Sequence, residues 1–443
     1  MVTRRRREVW RARRPGLKPR LQAEACSTKG ASTIVTLVIL VPVLFAFMGF
    51  AVDLGMMYSV KGELKAAANA MALAAASQLI GTDTSTSVAT SAAQLTIETA
   101  SGFGNKYYFH GFPIGQSNGS LTSVVTDPAF FATAADAIAS GTTGAGGVDG
   151  SLARYVRVTI NGQIQRLFWG FLPPINGNNI TVAATAVAGI SPPLCLACGI
   201  EPFAVAAVNQ GDTTDFGFVQ GTKYSFTFLC TPAGGVTPGI LAGASQLLYY
   251  LVLNRYDLNA TVLSDEGTQA FRDGAGGLPG STNTAQACFR VSNTEVIWAS
   301  ATVSGCNVGQ VPAVVTDMLC GLDTRFETTI STACMNIPSI DSLTAYQPDS
   351  DLNDYNSYTD YTGNGRRIIT VPIVDSLNSG GNMTVLGFRQ FLLIPNQGSF
   401  DITPGDNYGR FVAIYIGSVA PVPQGRFDGC QQTAGPGKVI LHQ

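Results

Sequence analysis

The sequence predicts an α+β protein in which one long N-terminal transmembrane and stalk helix precedes a β-rich, disulfide-containing exported region. Three observations carry this prediction. Ala31–Val52 contains no charged residue, and Ile34–Val52 is apolar almost throughout. Downstream segments alternate apolar and polar residues with the period of two that marks half-buried strands. Eight of the nine cysteines lie after Ser191.

The first element is a basic arm, residues 1–30, with ten Lys/Arg (Arg4–Arg7 among them) against Glu8 and Glu24. The rest of the chain keeps 17 of the 27 bases and 27 of the 29 acids, a formal charge of −10. Phosphate contacts need clustered Lys and Arg, so this acidic remainder excludes nucleic acid as a partner. The arm abuts the apolar run, which explains its charge better than nucleic acid does. Charged residues are 13% of the whole, about half of the roughly 25% usual in soluble domains. Ser, Thr, Asn and Gly take their place, a balance that suits a β-rich exported body.

The second element spans residues 31–52. A helix of that length measures about 33 Å and matches a hydrocarbon core of about 30 Å. A soluble core helix is rarely apolar on every face over such a length, and Pro42 is tolerated in a membrane helix. The excess of Lys and Arg holds residues 1–30 on the cytoplasmic side and sends everything after Asp53 across. The lipid bilayer is therefore the first expected partner. No second run of this length occurs; Ile240–Leu253 is short and interrupted by Gly243. An uncleaved anchor, an ordinary signal peptide and a pilin-type leader all remain open, although the run exceeds the roughly 7–15 residues of a secretory apolar region.

The third element, residues 53–80, is a stalk helix. Lys61–Leu79 has high helix propensity, and Leu64, Met71 and Leu79 are separated by alanines that let another surface approach closely. It either caps the exported domain or offers a helix–helix assembly face. Residues 31–80 as one helix reach about 75 Å.

Gly30–Leu79 has a distinctive order. Lys29 and Gly30 precede an apolar helix containing Pro42; an A-V-D-x-G-x-x-Y element follows at Ala51, Val52, Asp53, Gly55 and Tyr58; an alanine-rich stretch, Ala66–Ala76, surrounds Asn69. The segment resembles the N-terminal region of TadG-like proteins of tight-adherence (Flp) pilus systems. The resemblance implies a non-enzymatic, cofactor-free component of pilus assembly or a related export system. It would sit single-pass in the bacterial inner membrane, with its bulk periplasmic or extracellular. Its partners would be other pilus-assembly or envelope proteins, met through helix–helix and ectodomain contacts, with oligomers formed through the N-terminal helix. Pilin-type leaders are cut after a glycine, here Gly30 before Ala31, with a glutamate five residues into the mature chain. The corresponding residue is Val35, which cannot supply that charge.

Two exported parts are expected: an α+β pilin-like domain over 81–190 and a β-rich cysteine-containing domain over 191–443. Gly81–Gly150 reads as loops with short helices, for example around Ala129–Ser140. Val156, Val158 and Ile160 alternate with Arg157 and Thr159 as a strand. Ile164–Leu172 has helical spacing, and Ile180–Val187 reads as a second strand, with room between them for a helical crossover. In the resembling ectodomains the same order recurs. Later strand candidates are Lys223–Leu229, Glu295–Ala299, Arg367–Val374, Met383–Ile394 and Arg410–Ile416. Gly380-Gly381 suggests a hairpin, and Pro372 should lie at an edge or bulge.

Cys26 falls in the arm. Cys195, Cys198, Cys230, Cys288, Cys306, Cys320, Cys334 and Cys430 fall outside, an even number that favours disulfides in an oxidising compartment. Their connectivity is not legible. The C-x-x-C at Cys195–Cys198 lacks the strand-to-helix setting of a thioredoxin site and the second pair of a zinc site. His110 and His442 are the two histidines, which excludes an HExxH site, and no Walker or dinucleotide glycine motif occurs. No catalytic residue, metal ligand or cofactor is therefore expected. The rival is an anchored surface or adhesion protein with a von Willebrand A-like metal module. Asp83-Thr84-Ser85-Thr86-Ser87 fits that module's D-x-S-x-S string, whose carboxylate and hydroxyls suit Mg²⁺. The string follows an alanine-rich helix, however, where the module requires a buried strand. An envelope hydrolase with atypical residues would need demonstrated turnover.

Overall fold

The computed structural model describes residues 29–97, 107–109, 111–118, 121–139, 148–168, 179–229, 238–253, 272, 288–291, 295–297, 313–326, 331–335, 337, 348–378, 382–395, 402–403, 406, 408–417 and 420–442. These fall into two compact units, residues 1–56 with 166–178 and residues 57–165 with 179–443. The chain is α+β, with a long apolar N-terminal helix ahead of a β-rich region.

Helix α1 (Lys29–Ala76) is continuous through Pro42. Its large apolar side chains from Ile34 to Val52 are 38–68% exposed and point in every direction. Among the described residues it is the one helix long and apolar enough to cross a membrane. After Met57 the pattern changes. Val60, Leu64, Ala67, Ala68, Met71, Ala72, Ala75 and Ala76 are all buried, spaced by threes and fours along one face. Each fully buried Val, Leu or Met side chain contributes about 1.5–3 kcal/mol. The alanines add little area, but they allow close approach. Gly81, at φ +84°, reverses the chain into α2 (Ser85–Ile97).

The first sheet takes in β3 (Ser117–Asn118), β4 (Leu121–Val125), β5 (Ala129–Phe131), β6 (Tyr155–Gln165) and β7 (Asn179–Ile190). Two short strands, β1 (Tyr108–Phe109) and β2 (Phe112–Pro113), pair separately. Helix α3 (Ala134–Ala139) falls within the expected helical stretch. β6 and β7 are antiparallel neighbours from Tyr155↔Gly189 to Gln165↔Asn179, so the helical crossover expected between them is not needed. Ile164 is the end of a strand, not the start of a helix; residues 169–178 lie outside the described residues. On the buried face Val156, Val158 and Ile160 stand opposite Ala188, Ala186 and Ala184. Lys65 Nζ of α1 donates to the Thr185 carbonyl at 2.7 Å, tying the buried stripe of the helix to this sheet.

The second sheet is built from β9 (Phe203–Ala206), β10 (Lys223–Phe228), β11 (Gln246–Val252), β13 (Glu295–Ile297), β14 (Ile368–Val374), β15 (Asn382–Ile394) and β16 (Phe411–Gly417). β15 pairs with both β14 and β16, so the path β15-β14-β9-β11-β10-β16 closes on itself as a barrel. Aromatic rings fill it: Phe226 stacks on Phe411 at 4.7 Å and meets Phe391 edge-on at 5.2 Å, geometries that aromatic quadrupoles favour. Pro372 is not on an edge strand, since β14 lies between β15 and β9. Pairing with β9 begins only at Ile373, and a register shift follows between Ile373 and Val374, so the missing N–H is accommodated beside the irregularity. Ile80, at the end of α1, packs outside the barrel with Tyr358 and Ile414, and Tyr358 Oη donates to the Ile80 carbonyl at 2.6 Å.

A third, small sheet joins β8 (Leu196–Cys198) to β12 (Cys288–Arg290) and β17 (Gln424–Arg426). Among the described residues three disulfides form: Cys195–Cys430, Cys198–Cys288 and Cys320–Cys334. The last links helix α4 (Ala313–Asp323) to the 3₁₀ turn at Thr332–Cys334. The two cysteines of the C-x-x-C thus go to different distant partners, which makes them structural. Cys26, Cys230 and Cys306 lie outside the described residues. The chain end returns as β18 (Val439–His442), antiparallel to β7 at the edge of the first sheet.

Beside the barrel, Asp351 is buried. Desolvation opposes its ionisation, but hydrogen bonds from Tyr355, Thr362 and Asn353 outweigh that and hold its carboxyl at about 2. The folded-state value lies below the unfolded one of about 3.9. The stabilisation is therefore complete above about pH 4 and is lost as pH falls towards about 2. Asp351→Asn should flatten this acid limb in thermal unfolding of the detergent-solubilised full chain; an acid limb unchanged from wild type would contradict the assignment.

Candidate functional site

The apolar run of α1 ends at Asp53, which is only 5% exposed. Its Oδ1 accepts the backbone N–H of Leu167 at 3.1 Å, and its Oδ2 accepts that of Phe168 at 3.3 Å. Both donors follow directly on the end of β6. A carboxylate accepting backbone N–H groups makes charge-assisted bonds, stronger than neutral ones. Gly49 lies one turn earlier on the same helix face. A Cβ there would come within 2.7 Å of Phe168 Cβ, so the glycine makes room for the phenylalanine.

The expected motif residues are divided by this geometry. Asp53 is drawn inward, whereas Ala51, Val52, Gly55 and Tyr58 are exposed on the helix, Tyr58 at 69%. Asn69 is half-buried, and Gly30 and Ala31 lie in the first turn of α1. Gly49 and the Leu167–Phe168 pair were not read from the sequence as a site. In the sequence Leu167 and Phe168 fall inside the helically spaced stretch Ile164–Leu172, which gives no sign of such a site.

The Asp83–Ser87 string follows α1 and runs into α2, with Ser85–Ser87 in its first turn, and does not follow a strand. Ser85 Oγ donates to the Gly150 carbonyl and Ser87 Oγ to the Thr84 carbonyl, each at 2.7 Å, and the Asp83 N–H donates to the Thr359 carbonyl. Among the described residues no three His, Cys, Asp or Glu side chains gather as a metal-ligand set. His110 lies outside the described residues. The His442 ring meets Tyr155 edge-on at 5.1 Å, and burial lowers its pKa, the setting of a packing residue. A cavity of about 310 Å³ borders Ser77, Gln78 and Ile80 at the end of α1 and Glu201, Arg325 and Arg366 beyond. Arg325 there donates to Glu201 in a buried ion pair. Among the described residues its lining holds no histidine or cysteine, the partners of the Ser–His and Cys–His couples that activate a nucleophile.

A family model of Flp pilus-assembly TadE/G-like proteins matches residues 30–78. The N-terminal helix is TadE/G-like. The match takes in both the exposed apolar half of α1 and the buried stripe, with Asp53 between them. The likeness covers this N-terminal segment of the 443-residue chain. No curated protein and no solved structure matches the chain.

Proposed function

We propose that this chain is a membrane-anchored, non-enzymatic component of Flp pilus assembly or a related export system. The single observation that carries the reading is the division of the TadE/G-like helix at Asp53. Its first half is apolar and its large side chains are exposed, with Phe168 lying against Gly49, a surface suited to cover by lipid or other helices. Its second half is buried along the alanine stripe and bonded to the first sheet through Lys65. In this reading residues 1–30 stay cytoplasmic, 31–52 span the inner membrane once, 53–80 form the stalk, and 81–190 and 191–443 are exported. The anchor is permanent, since Val35 stands where a cleaved pilin subunit carries its glutamate. Other pilus-assembly or envelope proteins are met through exposed helix residues such as Tyr58 and through the ectodomain, and the exposed helix face also permits self-association.

The test is genetic. Removing the chain from its native cell should abolish or sharply reduce surface Flp pili, and the full chain supplied in trans should restore them. Unchanged piliation would refute the reading.

A further inference from the structure

We propose that the Leu167–Phe168 tip, held by Asp53, is a second membrane contact that sits in the lipid headgroup–acyl boundary beside α1. The inference rests on the anchor reading above and adds a lipid-binding element outside the spanning helix. Leu167 and Phe168 are 52% and 51% exposed, a poor place for two large apolar side chains unless something apolar covers them. Lipid is the occupant indicated by continuity, because Phe168 lies against Gly49, inside the same apolar run that crosses the bilayer. Gly49 is four residues before Asp53, about 6 Å along the helix axis, within the roughly 5–10 Å depth of interfacial insertion. Non-helical backbone at that depth must have its polar groups satisfied by protein. Asp53 meets that demand by accepting the N–H groups of both Leu167 and Phe168. A buried carboxylate at the end of a membrane span thereby acquires a purpose. Leu167 and Phe168 are of the residue types that interfacial segments bury at the headgroup–acyl boundary, and half-buried Arg166 stands next to Leu167 in the chain, where lipid phosphates would lie.

The test uses the full chain in vesicles, with Trp10, Trp169 and Trp298 replaced by phenylalanine and one tryptophan reintroduced as Phe168→Trp. Leu167→Trp serves as a second position should the first disturb folding. Emission is quenched in turn by phospholipids brominated near the headgroup, by phospholipids brominated deep in the acyl chain, and by aqueous acrylamide. The expected result is several-fold stronger quenching by shallow than by deep bromine, together with weak acrylamide quenching. Leu40→Trp, in mid-span, should show the opposite depth preference. A tip probe quenched freely by acrylamide and not by bromolipid overturns the inference while a deep Leu40→Trp signal leaves the anchor standing. A tip probe shielded from both quenchers also overturns it, in favour of a protein partner. A Leu40→Trp probe untouched by any bromolipid overturns the anchor reading itself.

Discussion

Arginine at both Leu40 and Leu44 is expected to strip the chain from the membrane. Thirteen Ile, Leu, Val and Phe residues lie between Ile34 and Val52. At about −0.3 to −0.6 kcal/mol each on the insertion scale, they supply roughly 4–8 kcal/mol of insertion free energy. Two arginines near the centre cost about 5–7 kcal/mol together, and the two lost leucines remove about 1 kcal/mol more. Insertion is then close to balance. After alkaline-carbonate extraction the wild-type chain should stay in the membrane pellet, and most of the double variant should be released or absent. Full retention of the double variant would mean that something other than this helix holds the chain. A single Leu40→Arg change is expected to be tolerated much better.

Loss of Arg367 should have the largest effect on the exported body. Its side chain is fully buried. Nε donates to the Leu393 carbonyl at 2.9 Å, Nη1 to the Asp351 carbonyl and Nη2 to the Asn353 carbonyl at 3.0 Å. Its own N–H donates to Asp349 at 3.1 Å, and its guanidinium lies over the Phe326 and Tyr361 rings. The fork therefore fastens the acidic loop after Pro348 to the barrel strand β15. Arg367→Met keeps most of the bulk but leaves three carbonyls without this donor and the Asp349–Asp351 loop without its cation. Breaking such a buried set costs about 3–5 kcal/mol, a large share of the roughly 5–15 kcal/mol that holds a domain together. Thermal unfolding of the detergent-solubilised full chain should show a strongly lowered midpoint. Arg367→Lys should recover only part of it, because an ammonium cannot reach three carbonyls in one plane. A variant within about 1 kcal/mol of wild type would show that the loop is held some other way.

Much of this fold is legible because its signals are local. The uncharged run from Ala31 to Val52 announces a spanning helix, and the alanines after Ala66 announce a helix that packs closely. The alternation at Val156–Ile160 and the largely apolar run Ile368–Val374 mark strands. What is not legible depends on contacts between distant residues. Periodicity assigns β6 and β7 as strands but says nothing about their pairing direction, so the antiparallel ladder replaces an expected crossover. Barrel closure rests on the pairing of β15 with β16, and the return of β18 to β7 joins segments more than 240 residues apart. The C-x-x-C names no partner for its cysteines, and Cys195 bridges one 235 residues away. Asp53 is visible as a motif residue, but its partners lie 114 and 115 residues further on, and Gly49 gains meaning only once Phe168 is seen against it. Arg367 stands in the sequence as the start of a strand candidate, and its burial shows it to be a fastening.

The most direct test of the central claim is a count of surface Flp pili in native cells lacking this chain, complemented by the full chain or by one lacking residues 31–52. The account predicts that cells without the chain are bald or nearly so, that the full chain restores pili, and that the anchorless chain does not. Wild-type piliation without the chain, or full rescue by the anchorless form, would contradict it.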